Sequence, residues 1–286
     1  MAVQQLVFVL AFVSVGAADF GISADEPAKT EVESSAPKAE TDDDAERRRR
    51  GEFLKMDVDR YTVVAVDRPE RPFTTTDKTL LRWSNPVRNF FSDGAVFLWL
   101  DAKRPMAVAM PSIRGKGNVA REFTSLSTSP LECRRNRQVI WAPRQANFAG
   151  QSLAESEPPD DSEKRRLRQI RDISRRFRAT KGGDSGVELR LMTQPIYRYA
   201  CEEQGIIDGA LFSFVEATDS DLLLLVEACR GDTQRAEWRY TLARMTSTAV
   251  AVELDGERVW AGEGYYTNPQ SIRDPYIEIH SGKYPP

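Results

Sequence analysis

Two aspartates in a phrase that occurs twice are the first candidates for chemistry. Asp93 and Asp208 each precede Gly-Ala and a strongly apolar run. If two similar units faced each other, this carboxylate pair could serve as the acid and base of a glycoside hydrolase. The sequence favours the simpler interpretation, in which each aspartate caps a turn beside a flexible glycine.

A basic segment in the middle of the chain is the second candidate. Residues Ser162–Arg178 keep apolar side chains at helical spacing and predict one amphipathic helix. Its polar face could bind phosphate, an acidic polysaccharide or a membrane surface through Arg165, Arg168, Arg171 and Arg175. The alternative is a solvated helix whose narrow apolar stripe packs on a sheet.

Several other chemistries find little support in the sequence. The single histidine is His280, so an imidazole base could come only from the tail, and a zinc site built on two or three histidines is excluded. Residues 115–120 fit a G-x-G-x-x-A pattern, but a dinucleotide site needs a helix directly after it, and residues 121–127 read as a strand. We therefore expect neither a metal nor a cofactor. The five tryptophans could form a stacking platform for sugars, although most aromatic residues in strands belong to the core.

Charge is unevenly distributed along the 286 residues. The net charge is −3, and residues 19–46 alone carry ten carboxylates and two lysines, so the chain after residue 46 carries +5. An excess this small over so long a segment does not indicate a nucleic-acid-binding protein. The three cysteines, Cys133, Cys201 and Cys229, allow either one disulfide with a free thiol or three free thiols.

The N-terminal part predicts export. Residues 1–18 combine a short apolar run with small residues at a possible cleavage site, which is typical of a signal peptide, although the segment before the run carries no Lys or Arg. Residues 19–50 are rich in Ala, Glu, Asp, Ser and Pro and predict a disordered acidic linker. The expected location of the protein is therefore the periplasm or the extracellular space.

The rest of the chain, residues 51–286, predicts a single β-rich domain. Apolar strands and turn residues alternate over about 80–141 and again over 188–260, and a linker with the helix fills 142–183. A four-stranded antiparallel meander cannot bury its apolar face alone. We therefore expect two pseudo-repeated meanders packed on each other as a sandwich or a barrel.

The repeat rests on anchors that occur in the same order in both units. We match Leu81-Arg82 with Leu189-Arg190, Pro86 with Pro195, the Asp-Gly-Ala phrases with each other, and Trp141 with Trp260, at separations of 108 to 119 residues. The competing interpretation is two unrelated meanders that share only their turn chemistry.

Several longer runs carry a resemblance. LRWSNPV, DGAVFLWL, REFTSLS with a later VIWAP, and LRLMTQPIYRY before DGALFSFVEATDSDLLLLVEA resemble a group of uncharacterised exported proteins from planctomycete bacteria, over roughly residues 80–275. The resemblance implies bacterial export and one conserved body, and it implies no activity.

These observations lead to two functional hypotheses. The first is an exported binding or structural protein without catalytic activity and of unknown ligand, whose basic helix could contact an anionic polymer or a membrane surface; nucleic acid is not an expected partner. The alternative is a carboxylate-dependent hydrolase of cell-wall or environmental polymers, with Asp93 and Asp208 as its working pair.

Overall fold

A computed structural model describes residues 41–84, 92–146, 148–153, 156–183, 186–231, 235–265 and 270–285 of the protein. Strands account for 54% and helical residues for 14%, which confirms the predicted mainly β class. The α-helices in this part of the chain are α1 (Asp42–Val58) and α2 (Glu163–Ser174). The predicted signal peptide, residues 1–18, lies outside the described residues.

The strands fall into two successive groups, which we call the first half (α1 to β8) and the second half (α2 to β17). The first half contains β1 (Tyr61–Ala65), β2 (Thr74–Thr75), β3 (Leu81–Ser84), β4 (Ser92–Asp101), β5 (Arg104–Arg114), β6 (Asn118–Ser125), β7 (Leu131–Arg135) and β8 (Gln138–Trp141). The second contains β10 (Phe177–Lys181), β11 (Val187–Leu191), β12 (Tyr197–Cys201), β13 (Ile206–Glu216), β14 (Asp219–Arg230), β15 (Ala236–Arg244), β16 (Val250–Leu254) and β17 (Glu257–Gly262). Two further strands, β9 (Phe148–Ser152) and β18 (Tyr276–Lys283), follow the first and second halves.

Helix α1 corrects the prediction of a disordered linker up to residue 50. Its first turn is held by a capping box, in which the Thr41 hydroxyl accepts from the Asp44 backbone N–H at 3.1 Å and the Asp44 carboxylate accepts in return. Leu54 and Val58 near its end are fully buried in the core of the first half. Because these buried residues lie after residue 50, the charged first turns of α1 have the composition of a linker. The compact unit begins at Thr41 rather than at residue 51.

Both halves pair their strands in the same order. In the first half β3 and β2 pair with β4, which pairs with β5 and then β6, while β1, β7 and β8 form a separate three-stranded sheet. In the second half β12 and β11 pair with β13, followed by β14 and β15, and β10 pairs with β16 and β17. Because β11 also pairs with β10, the eight strands of the second half form one nine-stranded sheet together with β9.

Strands β9 and β18 connect the halves reciprocally. β9 follows the first half and pairs with β15 of the second, whereas β18 follows the second half and pairs with β6 of the first. The segment expected to be only a linker before α2 therefore also contributes a strand, β9. Both β9 and β18 form because each covers the open edge of a sheet in the other half.

The meanders share an interior, as predicted. Val96, Leu98 and Val108 of the first half lie in one buried cluster with side chains of the second half, among them Leu223 and Leu225. The opposite faces of these strands line a separate core in each half, where α1 or α2 covers the sheet. Each central strand is therefore buried on both faces, which explains its continuous apolar run.

The predicted helix over Ser162–Arg178 extends four residues too far at its C-terminal end. Helix α2 ends at Ser174, and Phe177 opens β10, where it pairs with Leu254 of β16. The aromatic ring fits the apolar spacing of a helix and a buried strand position equally well, so sequence spacing alone did not separate the two. In the described residues, no helix combines the length and apolar character that crossing a membrane requires.

All three cysteines are free thiols, which resolves the two alternatives that the sequence left open. Cys133 is buried in the core of the first half, and Cys201 and Cys229 lie at the cluster between the halves. Burial raises the pKa of the Cys229 thiol to about 11. Cys229 is therefore a packing group rather than a nucleophile at neutral pH.

Candidate functional site

Asp93 is held by two arginines of its own half. Arg82 of β3 donates from Nε to Oδ1 at 2.5 Å and from Nη2 to Oδ2 at 2.7 Å. Arg50 of α1 donates from Nε to Oδ2 at 2.8 Å. The carboxylate is 4% exposed, so this arrangement, which we call the first clamp, ties helix, edge strand and central strand together.

Asp208 is held in the same way in the second half. Arg198 of β12 donates from Nε to Oδ1 at 3.0 Å and from Nη2 to Oδ2 at 2.7 Å, and Arg166 of α2 donates from Nε to Oδ2 at 3.1 Å. The hydrogen bond to Asp208 raises the pKa of Arg198 above its ordinary value. In this second clamp Arg198 also donates to the Glu163 backbone carbonyl at 3.0 Å, just as Arg82 donates to that of Arg47 at 3.2 Å.

The glycine after each aspartate makes room for an aromatic ring. A Cβ atom on Gly94 would lie 2.3 Å from the Trp83 ring, and one on Gly209 would lie 2.6 Å from the Tyr199 ring. Trp83 and Tyr199 directly follow the clamp arginines Arg82 and Arg198 in β3 and β12. The repeated Asp-Gly phrase is therefore a packing motif, in which the carboxylate accepts hydrogen bonds from the arginines and the glycine leaves space for the aromatic ring.

The clamps change the interpretation of both aspartates. Asp93 and Asp208 lie within β4 and β13, so the expected role of capping a turn is wrong. Guanidinium groups occupy both oxygens of each carboxylate, which leaves neither free to handle a proton of a substrate. The anchor that matched Leu81-Arg82 with Leu189-Arg190 is also wrong, because the counterpart of Arg82 in the second clamp is Arg198.

Of the four predicted binding arginines, two at the start of α2 are open to solvent. Arg165 and Arg168 are exposed, and Arg165 Nη1 lies 3.5 Å from Asp160 Oδ2. A surface pair at this distance holds its partners weakly. Both guanidinium groups are therefore accessible to an external anion.

The other two lie nearer the end of the helix. Arg175 is exposed and pairs with Asp172 at 2.6 Å, whereas Arg171 is half-buried and donates to the Gln194 side chain. The fifth helical arginine, Arg166, was not predicted as special, yet it is the one that is buried in the second clamp. Its position on the apolar side of the helix, four residues before Ile170, was the available sequence signal.

An open cleft of ≈ 550 Å³ lies where α2 gives way to β10 and where β11 passes from one part of the sheet to the other. Its rim carries Arg175, Arg178 and Arg190, and its floor includes Phe177, Leu189 and Phe214. We call it the basic cleft. Of its residues, sequence reasoning selected only Arg175, because the other two arginines lie on strands whose proximity depends on the fold.

Sequence reasoning also missed a buried carboxyl group, Glu122 of β6. The Tyr276 hydroxyl donates to its Oε2 at 2.7 Å, and Arg114, which also donates to Glu278 at 2.7 Å, donates to its Oε1. Burial raises the pKa of Glu122 to about 8, and Arg114 offsets this only in part. Glu122 is 4% exposed and enclosed by these partners, so it is a structural group rather than an acid open to substrate.

A second buried ion pair crosses between the halves. Arg104 of β5 donates to the Glu227 carboxylate of β14 from Nε at 2.8 Å and from Nη2 at 3.0 Å, and the Tyr199 hydroxyl donates to the same group. Burial, with the charge of Glu227, raises the pKa of Tyr199 well above its ordinary value. This pair fixes how the two central sheets align.

The remaining motifs are structural. The G-x-G-x-x-A pattern begins in the turn between β5 and β6, so a strand rather than a helix follows it, as predicted. Trp83, Trp99, Trp141 and Trp238 are buried, which places them in the core and not on a stacking platform. Within the described residues no group of three or more His, Cys, Asp or Glu side chains could hold a metal ion.

Comparison of the chain with protein-family models, with curated proteins and with solved structures gives no match. The functional argument therefore rests on the geometry of the clamps, the helix and the cleft.

Proposed function

We propose that the protein is an exported binding protein without catalytic activity, whose ligand is anionic and contacts the basic face of α2. One observation carries this proposal. The exposed cations Lys164, Arg165, Arg168 and Arg175 lie on one side of the helix, while Arg166 on the opposite side is committed to Asp208. The fold thus uses one arginine of the helix and leaves a row of cations at the surface.

The hydrolase alternative has weaker support. It requires two carboxyl groups that exchange protons with a bound sugar. Asp93 and Asp208 instead accept charged hydrogen bonds on both oxygens, from Arg50 and Arg82 in one case and from Arg166 and Arg198 in the other. Removing either carboxylate should therefore cost stability rather than turnover.

The proposed location restricts the class of anionic ligand that the protein could meet. The apolar run and small residues within 1–18, together with the resemblance to exported planctomycete proteins, support secretion. Outside the cytoplasm the common polyanions are acidic polysaccharides and membrane headgroups. We therefore propose one of these, and not nucleic acid, as the partner of the basic face.

We also propose that the two halves descend from one duplicated unit. The clamp residues support this, because Arg50, Arg82 and Asp93 recur as Arg166, Arg198 and Asp208 at separations of 116, 116 and 115 residues. The shared order of strand pairing supports it as well. Helix α1 also carries exposed arginines, but Arg48 pairs with Glu52 and Arg49 with Glu46 of the same helix, so we place the binding surface in the second half.

The binding proposal is tested on a column of immobilised acidic polysaccharide. The mature chain should be retained at low salt, and the double variant Arg165→Glu with Arg168→Glu should elute at a clearly lower salt concentration. Both side chains are exposed, so the fold should survive the change.

The matched control is Lys78→Glu with Lys116→Glu, two exposed lysines of the first half whose reversal changes the net charge equally. The control should elute close to the unmodified chain. Equal losses in both variants would indicate attraction by net charge alone, and retention unaffected by the helix variant would refute the proposed surface.

A further inference from the structure

The second half contains a lysine enclosed by two carboxylates, which neither the clamps nor the basic helix involve. Lys181 ends β10, Glu216 ends β13, and Asp221 lies near the start of β14. Lys181 Nζ donates to Asp221 Oδ1 at 2.6 Å and to Glu216 Oε2 at 2.9 Å. We call these three residues the lysine triad.

The inner pair of the lysine triad is shielded from water. The side chain of Lys181 is 12% exposed and that of Asp221 is 3% exposed, whereas that of Glu216 is 36% exposed. Val250, which pairs with Lys181, and Leu222, which follows Asp221, belong to the buried core of the second half. The amine and the carboxyl group therefore meet where little water competes for either of them.

Backbone groups hold Asp221 in place. Its Oδ2 accepts from the Glu216 backbone N–H at 3.2 Å, and its backbone carbonyl accepts from the Met245 N–H at 2.8 Å. Oδ1 therefore faces the lysine while an N–H donor lies at Oδ2. A donor in this position stabilises the negative charge that develops on the oxygen when a nucleophile attacks the carboxyl carbon.

The ionisation of the triad assigns a role to each acid. Burial raises the pKa of Asp221 above its ordinary value, which favours the acid form, whose hydroxyl can leave as water. Burial lowers the pKa of Lys181, but the charges of Asp221 and Glu216 outweigh this effect and leave the pKa above its ordinary value. The amine must therefore lose a proton before it can attack, and Glu216 Oε2 lies within hydrogen-bonding distance to accept it.

The architecture does not require the lysine triad. The corresponding positions of the first half, 115 or 116 residues earlier, are Ala65, Asp101 and Met106. The strand ends support this match, since Ala65 ends β1 and Asp101 ends β4. The first half therefore has an acid in place of Glu216 but neither the amine nor the second carboxyl group.

We propose that Lys181 and Asp221 form an intramolecular amide cross-link and that Glu216 transfers the proton. Nζ attacks Cγ of Asp221, so that a bond forms between these two atoms and the bond from Cγ to Oδ1 breaks. Glu216 accepts a proton from the amine and returns it to the departing oxygen. Of the three hydrogens that the amine and the carboxyl group share, two leave with that oxygen as water and one stays on the amide, so the reaction needs no oxidant and no other reactant.

The cross-link joins β10 to β14, which are not neighbours in the sheet. Like a disulfide, a bond between residues 181 and 221 restricts the unfolded chain and so stabilises the folded second half. This inference goes beyond the proposed binding function, because no residue of the lysine triad lies on α2.

Mass spectrometry of the denatured full chain tests the cross-link. We expect a mass that is lower than that of the linear polypeptide by one water molecule. In a tryptic digest, residues 179–190 and 199–230 should remain joined as one branched peptide, because trypsin does not cleave after an acylated lysine. Cleavage after Lys181 together with recovery of 199–230 as a linear peptide would overturn the proposal.

Lys181→Arg is the matched control. The guanidinium group keeps the positive charge beside Asp221, but it stays protonated and cannot attack the carboxyl group. We expect this variant to have the mass of the linear chain. Loss of water in this variant as well would indicate a ring formed elsewhere, such as a succinimide at Asp255-Gly256, and would overturn the proposal.

Glu216→Gln tests the proton transfer. This variant keeps Lys181 and Asp221 but lacks the proton acceptor, so the branched peptide should form at least about a hundredfold more slowly after a short pulse of expression. Circular dichroism equal to that of Lys181→Arg would show that the change is not caused by unfolding. An unchanged rate of formation would overturn the role assigned to Glu216.

Discussion

Each clamp joins three pieces of chain through one carboxylate. Asp208 accepts from Arg198, ten residues earlier in the chain, and from Arg166, 42 residues earlier. Asp93 accepts from Arg82 and Arg50, which are 11 and 43 residues earlier. Breaking a buried ion pair by removing one partner costs far more than the pair contributes, since the other charge is left buried. The aspartates are therefore the residues at which the fold is most sensitive to a change of charge.

Asp208→Asn should destabilise the protein by about 3–5 kcal/mol, because Arg166 and Arg198 would face a neutral amide. Urea unfolding measures this as a lower midpoint. The control Asp172→Asn breaks an exposed pair with Arg175 and should cost less than about 1 kcal/mol. Equal midpoints for the two variants would show that the second clamp contributes nothing special.

The raised pKa of Glu122 predicts how the stability of the folded protein depends on pH. Its pKa is about 8 in the folded protein against an ordinary value of 4.5, so the folded state binds more protons between these values. The free energy of unfolding should therefore fall as pH rises from about 5 to 8, and Glu122→Gln should flatten this fall. Thermal unfolding of both proteins at a series of pH values measures the difference, and identical slopes would contradict the raised pKa.

At the scale of elements, β9 and β18, which each pair with a strand of the other half, determine which sheet edges are exposed. β18 covers β6 of the first half, and its Tyr276 also bonds Glu122. A chain ending at residue 275 would expose the backbone of β6, and exposed edges pair with other chains. We expect this truncation to form dimers or larger species.

Size-exclusion chromatography with light scattering measures that outcome. The control is a chain that ends at residue 283, which keeps the whole of β18 and should behave as the unmodified protein does. A monomeric chain ending at residue 275 would show that β18 does not protect the edge of β6.

Whether the sequence predicted an element correctly depended on how far along the chain the contact partners of that element lie. The central strands β4 and β13 were predicted correctly because burial on both faces leaves a continuous apolar run. β9 and β18 were missed because their partners are far away in the chain, as in the pair Ile279 and Arg121. Helix α1 was missed because its few buried residues follow a long charged stretch.

The candidate site was less predictable than the fold for the same reason. Sequence reasoning singled out Asp93 and Asp208 but expected them to cap turns, whereas both accept hydrogen bonds from arginines. Their partners on the helices lie more than forty residues away, and charge runs do not reveal which arginine turns inward. The basic cleft depends on a strand that changes partners, which no local pattern encodes.

At the scale of the whole molecule, the halves depend on a common interior. Leu225 is fully buried in the cluster that both halves share. Leu225→Ala should cost about 2–5 kcal/mol and shift unfolding as a single cooperative transition. Calorimetry of the variant tests this, and two separate transitions would indicate halves that fold independently.

The central claim is that buried arginines hold the fold while exposed arginines bind the ligand. The most direct measurement records the unfolding midpoint and the salt concentration of elution from the polysaccharide column for two variants, Asp208→Asn and Arg165→Glu with Arg168→Glu. We predict that the first lowers only the midpoint and the second lowers only the elution salt. A folded Asp208→Asn protein with normal stability and lost binding would contradict the account.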